Sequence, residues 1–208
     1  MIPLPKEFRG LLLIVCGPTG TGKSTVSERL VASHPEIERI VTCTTRSPRE
    51  RERDGVDYFF LSNPEFNEAL AQDEFLEWAQ VHAWRYGTKK SVVFDRLAHG
   101  TDLVVNVDVQ GAQAYRRAFA GPPAMHGRLV TVFIMPPDLQ TIRARLVARG
   151  QDSPEQIERR LQTAQSEIEQ WVNFDYCLVT GSKDRDYARL EGIWTAEKCR
   201  VSRLAPST

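Results

Sequence analysis

The chain has 208 residues, of which 41% are hydrophobic and 26% are charged, and its formal net charge is +0. This length predicts one core with room for a small inserted lobe, and the composition is typical of an ordinary globular protein. The balanced charge argues against a nucleic-acid-binding protein, which usually carries a basic excess, although it does not exclude small anionic ligands.

The 4 cysteines are far apart and lack the spacing of a metal site or a dense disulfide framework. No run approaches the ~18 apolar residues of a transmembrane helix, and residues 1–10 lack the long apolar segment of a secretion signal. We therefore expect a cytoplasmic protein with reduced thiols and no membrane contact. Nothing in the sequence indicates an oligomeric state.

The first predicted elements are a strand and a helix. Residues 11–16 form a short, continuous apolar run, which is typical of a strand buried on both faces of a parallel sheet. Residues 23–33 predict a helix. From about residue 42 to 90 the pattern changes to aromatic-rich, β-like stretches with one short helix at about 64–71. This segment predicts a small β-rich lobe inserted into the core.

After the predicted lobe, strands and helices alternate again. Buried strands are predicted at 103–107, 129–134 and 176–179, and the helices that follow them at 109–119, 139–148 and about 184–198. Such alternation predicts an α/β fold, a parallel sheet with helices on both faces. Residues 120–124 read as a loop from their composition.

The best-marked helix runs from Ser153 to Trp171. Ser153 and Gln156 predict a capping box, and Ile157, Leu161, Ala164 and Ile168 form one apolar stripe. The polar residues 149–152 just before it predict a hinge, so that two helices could close over a ligand.

A glycine-rich segment between the first strand and the first helix matches G-x-x-x-x-G-K-[ST] at every fixed position. Its glycines allow backbone N–H groups to converge on phosphate oxygens, Lys23 can reach the β- and γ-phosphates, and Ser24 can ligate Mg²⁺. We therefore predict a nucleotide-binding P-loop. The predicted nucleotide-binding residues are Gly17, Pro18, Thr19, Gly20, Thr21, Gly22, Lys23, Ser24 and Thr25.

A second cluster could hold another phosphate. Arg46 and Arg49 are spaced to clamp it with paired donors, and Tyr58 and Tyr86 could add phenolic hydroxyls. Taken alone this cluster is equally compatible with a solvated, charged loop.

At this point the sequence resembles the guanylate kinase family. The family's motifs occur in order as Thr44-Thr45-Arg46-Ser47-Pro48-Arg49, Gly55-Val56-Asp57-Tyr58, Phe75-Leu76-Glu77-Trp78-Ala79, Tyr86-Gly87-Thr88, Asp108-Val109-Gln110-Gly111, Arg145-Leu146-Val147-Ala148-Arg149-Gly150 and Arg160-Leu161. The resemblance implies one domain over residues 1–208: a P-loop three-layer core (about 8–41, 91–145 and 172–208), a lobe that binds the nucleoside monophosphate (about 42–90) and a helical lid (about 146–171).

The resemblance also implies an activity, the transfer of the ATP γ-phosphate to GMP or dGMP with Mg²⁺. Glu77 would accept from the guanine N1–H and 2-amino group, which adenine cannot replace. The other residues implied to bind the acceptor nucleotide are Arg46, Arg49, Tyr58 and Tyr86 at its phosphate, Thr42 and Thr88 as donors to guanine, and Asp108 near the ribose and the magnesium waters. Lys23, Arg145, Arg149 and Arg160 would neutralise charge on the transferring phosphoryl group.

The sequence departs from the family pattern in four places. Asn106 stands where the family usually has aspartate, and Thr42 replaces the commoner serine. Residues 179–181 replace a V-N-D sequence that usually helps to hold adenine, and the 120–127 loop is longer than usual.

Two alternatives stay open from the residues. One is a related P-loop kinase on another phosphorylated acceptor, such as a ribose bisphosphate. The other is a non-catalytic guanylate-kinase-like module that binds phosphopeptides. Retention of Glu77 argues against the first, and retention of Lys23 argues against the second.

Overall fold

A computed structural model describes residues 10–50, 52–81, 83–150 and 153–203, without the side chains of Val81, Ala124, Arg149 and Ser202. The strands are β1 (Leu12–Cys16), β2 (Ile37–Arg39), β3 (Cys43–Thr44), β4 (Phe59–Phe60), β5 (Phe75–Val81), β6 (Trp84–Lys89), β7 (Asp102–Asn106), β8 (Leu129–Met135) and β9 (Tyr176–Val179). The α-helices are α1 (Lys23–Ser33), α2 (Asn63–Ala71), α3 (Lys90–Ala98), α4 (Val109–Ala120), α5 (Leu139–Arg149), α6 (Pro154–Ile168) and α7 (Lys183–Lys198). Short 3₁₀ turns occupy Pro123–Met125, Glu169–Asn173 and Val201–Arg203.

The larger sheet has five parallel strands in the order β2-β7-β1-β8-β9. Strand β1 is central and fully buried, as its continuous apolar sequence predicts. Its side chains alternate: Leu12 and Ile14 pack in one hydrophobic cluster with α3 and α4, whereas Leu13 and Val15 pack in another with α1 and α7. Helices therefore cover both faces, and the predicted α/β fold class is confirmed.

The smaller sheet has four strands in the order β4-β3-β6-β5 and lies within residues 43–89. Helix α2 packs against it, with Phe66 stacked on Phe75 at 4.4 Å between ring centroids. Ser62 and Glu65 form a capping box that begins this helix. A separate sheet here is compatible with an inserted lobe, whose boundaries stay a prediction.

Helices α5 and α6 pack on each other through a small apolar cluster of their own. It contains Ile142 and Leu146 from α5 and Ile157, Leu161 and Ala164 from α6. The predicted capping box of Ser153 and Gln156 is present. The predicted helix ends at Ile168 rather than Trp171, because the chain tightens there into the 3₁₀ turn. Residues 151 and 152 of the predicted hinge lie outside the described residues.

Strand β2 and helix α3 are among the elements that the sequence did not predict. Strand β2 has three residues at the sheet edge, with Ile37 as its one buried side chain, so it carries no periodic signal. Helix α3 follows β6 without an intervening turn, and its buried side chains are Val93 and Leu97. Among the described residues, no helix combines the length and apolar character needed to span a bilayer.

Candidate active site

The P-loop follows the central strand β1, at the carboxyl edge of the parallel sheet, where α/β folds place their ligands. Gly17 adopts a φ of +135°, and a Cβ atom there would lie 2.4 Å from the carbonyl oxygen of Ile134. Gly22 precedes α1 with a φ of 97° in the left-handed region. These two positions explain why glycine is needed to turn the chain from strand to helix.

Within this loop the cationic side chain folds back on the backbone. The Lys23 Nζ donates to the carbonyl oxygens of Gly17 and Pro18 at 2.5 and 3.0 Å. Ser24 and Thr25 lie exposed at the start of α1, where backbone N–H groups attract anions. The loop thus combines a lysine, a hydroxyl and a helix N-terminus within a few residues.

Strand β7 ends beside the P-loop, since Asn106 pairs in register with Val15. The Ser27 hydroxyl of α1 donates to Asn106 Oδ1 at 2.7 Å. Asp108 follows at the N-terminus of α4, where its exposed carboxylate accepts from the Gly111 N–H at 2.7 Å. The amide at position 106 therefore acts as an acceptor toward α1, and Asp108 is the exposed carboxylate beside it.

A cavity of about 340 Å³ adjoins the P-loop. Arg145 lines it and donates from Nη1 to the Gly20 carbonyl at 3.0 Å. Gly181 and Asp186 also line this cavity, and the Gly181 N–H donates to the Asp186 carboxylate. A larger hollow of about 520 Å³ lies between β9 and α7, but no P-loop residue lines it.

Three of the four predicted acceptor-phosphate residues, Arg46, Tyr58 and Tyr86, lie together at the smaller sheet. The Arg46 guanidinium lies 5.5 Å from the centre of the Tyr58 ring, and the Tyr58 and Tyr86 rings are 6.0 Å apart. Arg46 Nη2 also donates to Glu52 Oε1 at 2.8 Å, while the Arg49 N–H donates to Glu52 Oε2 at 2.8 Å. Hydrogen bonds from the Arg49 backbone and from Arg46 lower the pKa of Glu52.

The predicted guanine reader lies on β5. Thr88 Oγ1 on β6 donates to Glu77 Oε1 at 2.8 Å, and the Tyr115 hydroxyl on α4 donates to Thr88 Oγ1 at 2.8 Å. Burial raises the pKa of Glu77, the Thr88 hydrogen bond opposes this, and Asp108 adds to it. Glu77 is half-buried, so its carboxylate is desolvated but accessible.

The remaining predicted residues are less closely placed. Thr42 is half-buried before β3, the Arg49 side chain is exposed, and Arg160 is exposed on α6. The Arg149 side chain lies outside the described residues.

Three residues of this region escaped the sequence interpretation: Glu52, Tyr115 and Glu167. Glu52 could have been found from the sequence, since a carboxylate three residues after Arg49 in a basic loop predicts an ion pair with an arginine of that loop. Tyr115 and Glu167 carried none. Burial raises the pKa of Glu167, while Lys23 lowers it and Asp108 raises it further, so α6 brings a carboxyl group near the P-loop.

Comparisons with known proteins agree with this geometry. A guanylate kinase of Symbiobacterium thermophilum is 40% identical over 200 residues, 96% of this chain and 92% of that protein. One from Caulobacter vibrioides is 41% identical over 195 residues, 94% and 89% of the two chains. The crystal structure of guanylate kinase from Anaplasma phagocytophilum superposes with a TM-score of 0.75 at 27% identity and covers 96% of this chain and 92% of that one. The family model for guanylate kinase matches residues 9–197, and the chain belongs to the guanylate kinase family.

Proposed function

We propose that this chain transfers the γ-phosphate of ATP to GMP or dGMP and releases ADP and the nucleoside diphosphate. The observation that carries the proposal is the hydrogen-bonded pair Glu77–Thr88, on the same chain as an intact P-loop. The P-loop would bind the phosphates of the donor, ATP, and the desolvated carboxylate of Glu77 would select guanine as the base of the acceptor. A carboxylate left unpaired by adenine would be penalised.

At the donor side, ATP phosphates would replace the carbonyl oxygens that now hold Lys23. The ammonium group would then lie on the β- and γ-phosphates, where charge develops during transfer. The cavity beside Gly20 and Gly181 would hold the nucleoside. Thr180, next to Gly181, is buried, and its Oγ1 lacks a hydrogen-bond partner among the described residues.

The residues near the P-loop fit Mg²⁺, which prefers oxygen ligands and retains several waters. Ser24 would ligate it and Asp108 would accept from its waters, since both side chains are exposed. No cluster of three or more His, Cys, Asp or Glu suited to a metal occurs in the described ranges, so phosphate oxygens would supply further ligands. When bound, Mg²⁺ would neutralise phosphate charge.

At the acceptor side, Arg46, Arg49, Tyr58 and Tyr86 would bind the GMP phosphate. A phosphate oxygen is already a nucleophile, so the reaction requires no general base. Arg145 lies on α5 at the Gly20 carbonyl, from which it can turn to the transferring group. Arg149 and Arg160 would join it when α5 and α6 close, as lids in phosphotransferases do to exclude water. The 4 cysteines are free thiols, as is typical of proteins in the reducing cytoplasm, and the proposed nucleotide substrates also suit that compartment.

A coupled assay of ADP formation tests this proposal. GMP and dGMP should be the best acceptors, well ahead of AMP, UMP and ribose 1,5-bisphosphate. Preference for ribose 1,5-bisphosphate would favour the related-kinase alternative. ADP formation with none of the five acceptors, in protein that binds GMP, would favour the non-catalytic module.

A further inference from the structure

A buried carboxylate lines the cavity beside the P-loop, where the proposed function places the donor nucleoside. Asp186, in the first turn of α7, is 7% exposed and shares this lining with Gly181 and Lys183. Helix α1 contributes Thr25 and Val26. The volume of about 340 Å³ lies within the range of small-molecule sites, about 300–1,000 Å³. A molecule that fills this cavity therefore contacts Asp186.

The hydrogen bonding of Asp186 leaves most of the acceptor capacity of its side chain unused. An ionised carboxylate has about four lone-pair sites that can accept hydrogen bonds. Among the described residues, the partner of this carboxylate is the Gly181 N–H, which lies 2.9 Å from Oδ1 and 3.0 Å from Oδ2. One proton is thus shared between two oxygens, and the described part of the chain supplies no ion pair to either of them.

The place of Asp186 in its helix explains why a negative charge is tolerated there, but not why it has so few partners. The positive end of the α7 dipole stabilises a carboxylate in the first turn. Buried polar groups are nevertheless nearly always hydrogen-bonded, and a buried charge with a single neutral donor costs free energy. One acceptor oxygen would suffice for the Gly181 N–H, whereas the carboxylate supplies two. The spare capacity is available to a hydrogen-bond donor in the cavity.

We propose that Asp186 is a specificity-determining residue of the donor site, where its carboxylate accepts a hydrogen bond from the 6-amino group of the ATP adenine. An ionised carboxylate accepts but cannot donate, so it selects a base that presents an N–H group, and the 6-amino group is the donor of adenine. Residues 179–181, which precede α7, have no carboxylate or amide side chain of their own. This inference rests on the proposed function, in which ATP is the donor and its nucleoside occupies this cavity.

A donor analogue tests this inference in the wild-type protein. Purine riboside triphosphate differs from ATP only in lacking the 6-amino group. At saturating GMP, we expect its KM to exceed that of ATP about tenfold, the effect of one hydrogen bond to a charged group. The two kcat values should be similar, because the lost contact is made equally in the ground state and the transition state. Equal KM values for the two donors would overturn the inference, as would a lower KM for GTP than for ATP.

The variant Asp186→Asn tests whether Asp186 is the residue that receives the amino group. The amide keeps one oxygen for the Gly181 N–H and replaces the other with a donor. KM for ATP should rise about tenfold, whereas KM for purine riboside triphosphate and KM for GMP should keep their wild-type values. The matched control is Asp184→Asn on the same helix turn, whose exposed carboxylate pairs with Arg29 at 2.6 Å. It should change none of the three KM values.

A merely structural role for Asp186 predicts a different result. If the carboxylate only fixes the backbone of Gly181, Asp186→Asn should change KM for ATP and for purine riboside triphosphate by the same factor, and that outcome would refute the inference. If Asp186→Asn fails to fold, the comparison of the two donors in the wild-type protein decides.

Failure of the inference is distinguishable from failure of the proposed function. If the wild-type protein forms GDP from ATP and GMP but does not distinguish ATP from purine riboside triphosphate, the activity stands and the role of Asp186 is wrong. If it forms no GDP, the proposed function fails, and calorimetric titration with the two triphosphates tests Asp186 by itself. Tighter binding of ATP than of the analogue to the wild type, but not to Asp186→Asn, would support the inference, and equal affinities in the wild type would overturn it.

Discussion

The P-loop and the acceptor-phosphate site, two regions that we propose to bind phosphate, are built in different ways. The P-loop is one contiguous segment whose glycines shape the backbone, and its Lys23 is held by two neutral carbonyl oxygens. The acceptor-phosphate site draws Arg46, Tyr58 and Tyr86 from separate segments of the smaller sheet, and its arginine is held by the full charge of Glu52. Backbone N–H groups of one loop keep their positions when a neighbouring side chain is removed. A site made of side chains from several segments depends on every segment that positions those side chains.

The largest expected effect comes from the one charged side chain of the P-loop. Lys23→Ala should lower kcat by at least about 10³-fold, because the ammonium group acts on charge that develops in the transition state. Thermal unfolding should stay near that of the wild type, since Lys23 bonds to carbonyl groups that water can also satisfy. Turnover close to wild type would refute the proposed donor site.

The next largest effect tests whether Glu77, on the smaller sheet, determines the selectivity for guanine. Glu77→Gln should lower kcat/KM for GMP about 10²-fold, because an amide cannot accept from both guanine donors and the hydrogen bonds lost involve a charge. Binding of ATP should not change. The matched control is Glu74→Gln, just before β5, where the carboxylate pairs with Lys89 at 2.8 Å. Equal losses in the two variants would mean that Glu77 has no special role.

A smaller effect should follow from removing the counter-charge in the acceptor-phosphate site. Glu52→Ala should raise KM for GMP about tenfold, because Arg46 and the Arg49 backbone lose the carboxylate that orients them. Glu50→Ala, in the same loop, is the control. A lower KM would instead show that Glu52 competes with the phosphate.

The Glu52 pairing also has a pH dependence. Because the folded pKa of Glu52 is lowered, the stability that the pairing contributes is present above the ordinary carboxylate pKa and is lost as pH falls through the lowered value. Acid unfolding of wild type and Glu52→Ala should therefore converge at low pH. A difference that persists below both pKa values would contradict this assignment.

The smallest expected effect concerns Asn106. Asn106→Asp keeps an acceptor for the Ser27 hydroxyl and adds a charge beside Asp108, so the Mg²⁺ concentration for half-maximal kcat should fall by about threefold, which is under 1 kcal/mol. A magnesium titration of kcat and of KM for GMP in both variants measures this. Unchanged or poorer kinetics would show that the amide belongs to a different arrangement, since two carboxylates this close repel without a cation.

Most of the larger sheet could be predicted because its signals are local. The apolar runs of β1 and β8 and the capping box at Ser153 are read within a few residues. Strand β2 could not be predicted, because three residues at a sheet edge derive their structure from pairing with β7. Helix α3 was missed for a related reason: it begins directly after β6 without a turn residue.

The sequence by itself determined the P-loop, since eight contiguous residues between a strand and a helix specify its chemistry. Through the resemblance it also identified Glu77 and Arg46 as candidates. Only the tertiary structure decided what holds them: Glu52 on Arg46, and Tyr115 behind Thr88 and Glu77. The physical reason is distance along the chain. Tyr115 lies on α4, whereas Thr88 and Glu77 lie on β6 and β5, which come earlier in the chain. Their hydrogen bonds form only once α4 packs against these strands.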